Sequence, residues 1–103
     1  MYELEYLPMA KRDIVDIATY ISSELSNPTA AEKMITRIID AVEKLRHHPY
    51  MCRVHYPVRS LKYEYRKLIV QNHLVFYYVD EESKMITVAR VIHARRSYEN
   101  LLD

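Results

Sequence analysis

The side chains best suited to chemistry lie late in the chain, between Arg59 and Tyr98, set among apolar residues. Glu64, His73 and His93 can take up or deliver a proton. Arg66, Arg90, Arg95 and Arg96 can offset negative charge, and Arg59, Lys62 and Lys67 extend the same basic stretch. Tyr63, Tyr65 and Tyr98 offer flat rings on which an unpaired base can stack. Cations and phenols interleaved in this way suit a phosphate backbone or an acidic partner. A small domain carrying such a surface is expected to act on a macromolecule rather than on a metabolite.

These groups need a frame to position them. Residues 63–70, 73–80 and 85–93 read as three β-strands in series, the last two apolar at nearly every position, as interior strands are. Arg90 alternates with Ile86, Val88 and Ile92, which places it on an apolar face. Gln71-Asn72 predicts a tight turn, since Asn tolerates positive φ. Glu81 to Lys84 predicts a longer polar hairpin loop. Upstream, Tyr2, Leu4 and Tyr6 alternate with Glu3 and Glu5, giving a short half-buried strand. Pro8 suits a first helical turn, and Ile14, Ile17, Ala18, Ile21 and Leu25 follow at helical spacing. Asn27-Pro28 caps and restarts a second helix, whose apolar stripe runs from Ala31 to Leu45 and which ends at His47-His48-Pro49. Residues 50–62 read as irregular, and Ser97 to Leu102 as a short helix or tail anchored by Leu101 and Leu102. The predicted fold is α+β in a single domain over 1–103. It has a short N-terminal strand, a helical hairpin, then a three-strand antiparallel meander forming one sheet packed on the helices.

Composition narrows the function classes. The net charge over 103 residues is only +1, but it is unevenly spread. Residues 1–45 carry five basic and eight acidic side chains, residues 46–79 six basic against Glu64 alone, and residues 80–103 four basic and five acidic. Cationic potential concentrated in one segment is the footprint of anion recognition, or of a merely solvated loop. The chain has no Gly, which excludes a P-loop and a dinucleotide fingerprint. No nucleotide cofactor is expected. Cys52 stands alone, so neither an internal disulfide nor a Cys cage can form, and it reads as a small filler. The five His lack zinc spacing, so no metal is expected. The alternating acidic start is unlike a signal peptide and no apolar run approaches the roughly 18 residues that span a bilayer, so a cytoplasmic location is expected.

The order strand, helix, helix, then three antiparallel strands in about 100 residues resembles the RelE/ParE superfamily, the toxins of bacterial type II toxin–antitoxin systems. Tyr2-Glu3-Leu4-Glu5-Tyr6-Leu7-Pro8 followed by Ala10-Lys11-Arg12-Asp13-Ile14 looks like that family's first strand and first-helix opening. Tyr65-Arg66-Lys67-Leu68 and Tyr77-Tyr78-Val79-Asp80 look like its central hairpin. Val91-Ile92-His93-Ala94-Arg95-Arg96-Ser97-Tyr98 is similar to its V-x-H-x-x-R ending.

The resemblance implies a toxin held inactive by a cognate antitoxin, alone as a homodimer or within a heterotetramer. It leaves two activities open. RelE-like members cut mRNA on the ribosome without a metal, whereas ParE-like members inhibit DNA gyrase with no known catalytic duty. Cleavage by a 2′-OH needs a base, an acid and cations around the phosphorane. The catalytic set would be Glu64, Arg66, His73, His93 and Tyr98, with Arg59, Lys62, Lys67, Arg90, Arg95 and Arg96 binding RNA or a partner. His73 stands where RelE-like members often carry Arg, and a neutral His holds a phosphate less firmly. In a binding toxin, His93 to Leu102 would be the interaction surface. A non-toxic binding module of the same fold is the third reading. Structural roles compete at several positions: Arg66 paired with Glu64 or Glu99, Arg90 paired with an acid of the first helix, His93 satisfied at a strand end, and Tyr98 packed by its ring. The basic stretch with its interleaved aromatics favours RNA and the ribosome as target.

Overall fold

The computed structural model describes residues 1–57 and 59–102. The chain runs β1 (Glu3–Tyr6), α1 (Pro8–Thr19), a π-helical turn (Tyr20–Glu24), α2 (Pro28–Lys44), β2 (Arg53–Val54), β3 (Arg66–Val70), β4 (His73–Asp80) and β5 (Met85–His93). Both helices open on proline, whose fixed φ suits the first turn. At α2 the Asn27 side chain also accepts the Ala30 amide at 3.1 Å. The π turn widens the end of α1, where Leu25 N–H reaches back to Tyr20 O at 3.2 Å.

The strands form one sheet in the order β1-β5-β4-β3-β2. The expected meander β3-β4-β5 is its centre, and the sheet extends one strand further on each side. β1 lies parallel to β5, with Glu3 opposite Met85 and Tyr6 opposite Val88. On the far edge, two residues of the stretch expected to be irregular pair with β3, Arg53 opposite Lys67 and Val54 opposite Arg66. β3 starts at Arg66 rather than Tyr63; the Tyr63 and Tyr65 rings pack against Tyr78 instead of extending the strand.

Alternation along the strands divides the core in two. On the helix side, Leu68, Val70, Val75, Tyr77, Ile86 and Val88 pack against Ala10, Met34, Ile38, Val42 and Leu45. On the outer face, Tyr65, Leu74, Phe76, Ala89 and Ile92 are covered by the C-terminal segment, with Leu102 only 1% exposed. The helices thus cover one face, and the expected tail covers the other.

A bulge at Phe76/Tyr77 inserts Ala89 as an unpaired residue of β5, with Phe76 opposite Arg90 and Tyr77 opposite Val88. It moves Arg90 and Ile92 away from the face of Ile86 and Val88, on which simple alternation had placed them. The β3–β4 turn differs in detail from expectation: Gln71, not Asn72, takes positive φ, at 53°. Ser26 (50°) and Lys84 (56°) do the same in a chain without glycine. Each such position carries strain of about 1 kcal/mol for a residue with a Cβ. Ser26→Gly is therefore expected to raise stability by up to about 1 kcal/mol and Ser26→Val to lower it, as read by urea denaturation.

Candidate functional site

β1 ends at Tyr6, and beyond it the edge of β5 would expose unpaired backbone. Asp13 of α1 fills that role. Its Oδ2 accepts the Val91 amide at 2.9 Å and Arg90 Nε at 2.7 Å, while Oδ1 accepts Arg90 Nη2 at 2.9 Å. Both side chains are buried, Asp13 at 6% and Arg90 at 10% exposure. Arg90 Nη1 reaches Leu101 O at 3.3 Å, so every nitrogen of this guanidinium has an internal partner. The ion pair with an acid of the first helix is the role the geometry gives it.

Beside this pin lies a cleft of about 610 Å³ between the end of α1, the π turn and the ends of β4 and β5. Ile17, Ile21, Met34 and Val91 are among its apolar lining residues. His73, His93, Arg95 and Arg96 also line it, with Asp16 and Tyr20 from the helical side. His73 and His93 face each other across β4–β5, ring centroids 5.3 Å apart and nearly perpendicular. His73 is 7% exposed and its Nδ1 is buried without a hydrogen-bond partner. Burial, reinforced by His93, holds its pKa below the ordinary 6.5. His93 Nδ1 accepts the Arg95 amide at 3.1 Å.

The remaining predicted residues lie elsewhere. Arg66 Nη1 donates to Cys52 O at 2.8 Å, its guanidinium rests 4.9 Å from the Tyr50 ring centre, and Nη2 sits 3.7 Å from Glu64 Oε1. It stands opposite Tyr77, four residues along β4 from His73 and hence roughly 13 Å away along the strand. Tyr98 is not beside His93; its ring packs on Phe76 (5.1 Å) and His55 (5.6 Å) on the outer face. Arg59 Nη2 grips the tail through Leu102 O at 2.8 Å and Glu99 O at 3.3 Å. Lys62 lies over the Tyr63 ring at 5.4 Å. Lys67 faces Arg53 across the β2–β3 edge.

The structure thus gathers His73, His93, Arg95 and Arg96, and separates from them Glu64, Arg66 and Tyr98. Among the described residues, no group of three or more His, Cys, Asp or Glu is placed to hold a metal. Two residues were missed. Asp13 carries the pin, although in sequence it is one of two acids on α1. His55 is 8% exposed with an unpartnered Nε2, its pKa lowered by burial and then by Lys67. It lies in a stretch without periodicity, so nothing in the pattern marked it as buried.

Asp13→Ala strands a buried guanidinium and an edge amide, and is expected to lose about 3–5 kcal/mol in urea unfolding. The double variant Asp13→Leu/Arg90→Met should recover most of that loss. His73 and His55 have folded pKa values below 6.5, so the unfolded chain takes up their protons first. Their contribution is complete above about pH 6.5 and is lost as pH falls toward the folded values. Unfolding free energy measured between about pH 7.5 and 5 should decline less steeply in His73→Phe than in the wild type. Equal slopes would remove His73 from that account.

The profile of the family described as the ParE toxin of the type II toxin–antitoxin system parDE matches residues 4–98. No curated protein sequence matches the chain significantly. Among solved structures, the fold is similar to a chain of the chromosomal ParDE system of P. aeruginosa: TM-score 0.73 and 18% identity, covering 92% of this chain and 98% of that one. It is also similar to a chain of the archaeal RelE–RelB complex of Pyrococcus horikoshii OT3, with TM-score 0.61, 13% identity and coverage of 93% and 98%. A chain of the RelBE2 toxin–antitoxin complex of Mycobacterium tuberculosis gives TM-score 0.55 and 20% identity over 89% and 96%. At these identities the structural likeness is one of fold, whereas the family match runs nearly end to end: the chain belongs to the ParE toxin family of type II toxin–antitoxin systems.

Proposed function

We propose that this toxin acts by binding its target rather than by cutting RNA, in the ParE-like manner of inhibiting DNA gyrase, and that a cognate antitoxin neutralises it in the cytoplasm. The observation that carries this reading is the dispersal of the would-be catalytic set. Arg66 is engaged by main-chain carbonyls and Arg90 by Asp13, while Tyr98 packs on the face opposite the helices. Of the five candidates, only His73 and His93 come together, and Glu64, Arg66 and Tyr98, which would complete the acid, base and phosphorane contacts of a 2′-OH attack, lie away from them. The cleft supports a binding role instead. Its apolar floor is rimmed by Arg95 and Arg96, and the exposed Tyr20 and Leu25 extend it. The ParDE and RelBE neighbours were each solved as toxin–antitoxin systems, which supports an antitoxin for this chain.

One observation favours the second reading, ribosome-dependent mRNA cleavage. On the outer face Tyr63 stacks on Tyr78 at 3.9 Å, and further along the same face Lys67 stands opposite Phe76, whose ring packs on His55. These are aromatic and cationic parts suited to unpaired bases.

Inducible expression in a bacterium with RNA mapping at growth arrest separates the two. The binding reading expects arrest with intact message, inhibition of supercoiling by the purified protein, toxicity retained in Lys67→Ala and His55→Ala, and toxicity lost in Arg95→Glu/Arg96→Glu. Cuts within translated codons, abolished by Lys67→Ala, would establish the nuclease instead.

A further inference from the structure

We propose that the turn leaving β5, residues 93–96, is an acid-sensitive latch on the cleft, triggered by the cross-strand pair His73 and His93. Three bonds hold the turn: Ala94 N–H to Asn72 O at 2.7 Å, Arg96 N–H to His93 O at 3.0 Å, and Arg95 N–H to His93 Nδ1 at 3.1 Å. In the third, the acceptor is an imidazole lone pair. That bond fixes the neutral tautomer with its proton on Nε2, so an added proton has only Nδ1 to occupy. Protonated His93 turns a donor toward the Arg95 amide, and the bond is lost.

Protonated His93 also places a cation 5.3 Å from the ring of His73, which is buried and has no partner for Nδ1. Arg95 and Arg96 line the same cleft. From α1 the facing groups are Asp13 and Asp16, and from the π turn Tyr20; α2 contributes the apolar Met34. Asp13 is engaged by Arg90 and the Val91 amide, which leaves Asp16 to oppose the arginines and a charged imidazole. Repulsion and the lost bond act in one direction, and the turn releases Arg95 and Arg96 from the cleft wall. A consequence for partner binding rests on the proposed role of the cleft; the latch itself does not.

Amide exchange of Arg95 in the full-length protein, corrected for intrinsic pH dependence, tests the latch. Between about pH 7.5 and 5 its protection should fall roughly tenfold, the equilibrium weight of one hydrogen bond. The midpoint should coincide with the titration of the His93 imidazole nitrogens. His93→Asn presents an oxygen acceptor near the position of Nδ1 that does not titrate, so it should keep protection across the range. Unchanged wild-type protection, equal loss in wild type and His93→Asn, or a midpoint that does not follow His93 would each overturn the proposal. If His93→Asn does not fold, the wild-type midpoint comparison decides. None of these readings involves gyrase or an antitoxin, so the latch stands or falls apart from the proposed target.

Discussion

The Asp13 carboxylate is the joint on which the architecture turns. A strand edge needs acceptors for its amides, and β1 is too short to supply them beyond Val88. One carboxylate on α1 takes over, bonding the Val91 amide and neutralising Arg90. That fixes where α1 lies along the edge of β5, and therefore where the cleft opens. Arg90 then reaches the carbonyl of Leu101, so the same ion pair that seats the helix also steadies the tail on the opposite face. Buried ion pairs are weak sources of net stability, and their clearer use is to select one arrangement among near alternatives. Here the selected arrangement is the angle between helices and sheet.

Much of this was legible in the residues. Helical spacing, the two prolines and Asn27 located both helices, and dense apolar runs located β4 and β5. What escaped was non-local. β2 is two residues whose pairing depends on where β3 lies, not on any pattern of its own. Ala89 is an unremarkable alanine until its neighbours are paired, yet its bulge decides on which side Arg90 emerges. The site was half legible for the same reason. His93, Arg95 and Arg96 are close in sequence and stayed together, while His73 joined them through a strand pairing that the hairpin implied. Arg66 and Tyr98 looked equally suited to chemistry by type. Their partners are carbonyls and rings from distant segments, which residue type does not reveal.

The two faces of the sheet are stabilised differently. The helix side is aliphatic and closed by two long elements. The outer side is aromatic, with Tyr63, Tyr65, Tyr78, Phe76, His55 and Tyr98 in edge and stacked contacts under a short tail. The tail is pinned through its main-chain carbonyls by Arg59 and Arg90, which bind any sequence that can present those carbonyls. The second core therefore depends on two arginines drawn from the loop before β3 and from β5, rather than on a helix.

The parallel pairing of β1 with β5 has a consequence for the order of events during folding. Glu5 and Thr87, bonded side by side in the sheet, are 82 positions apart. Closing so long a loop is slow beside the local hairpins, so β1 is the last of the strands to find its place in the sheet. The edge that Asp13 caps does not exist until β5 has emerged. The cleft bounded by α1 and the end of β5 is therefore among the last features to form as the chain folds.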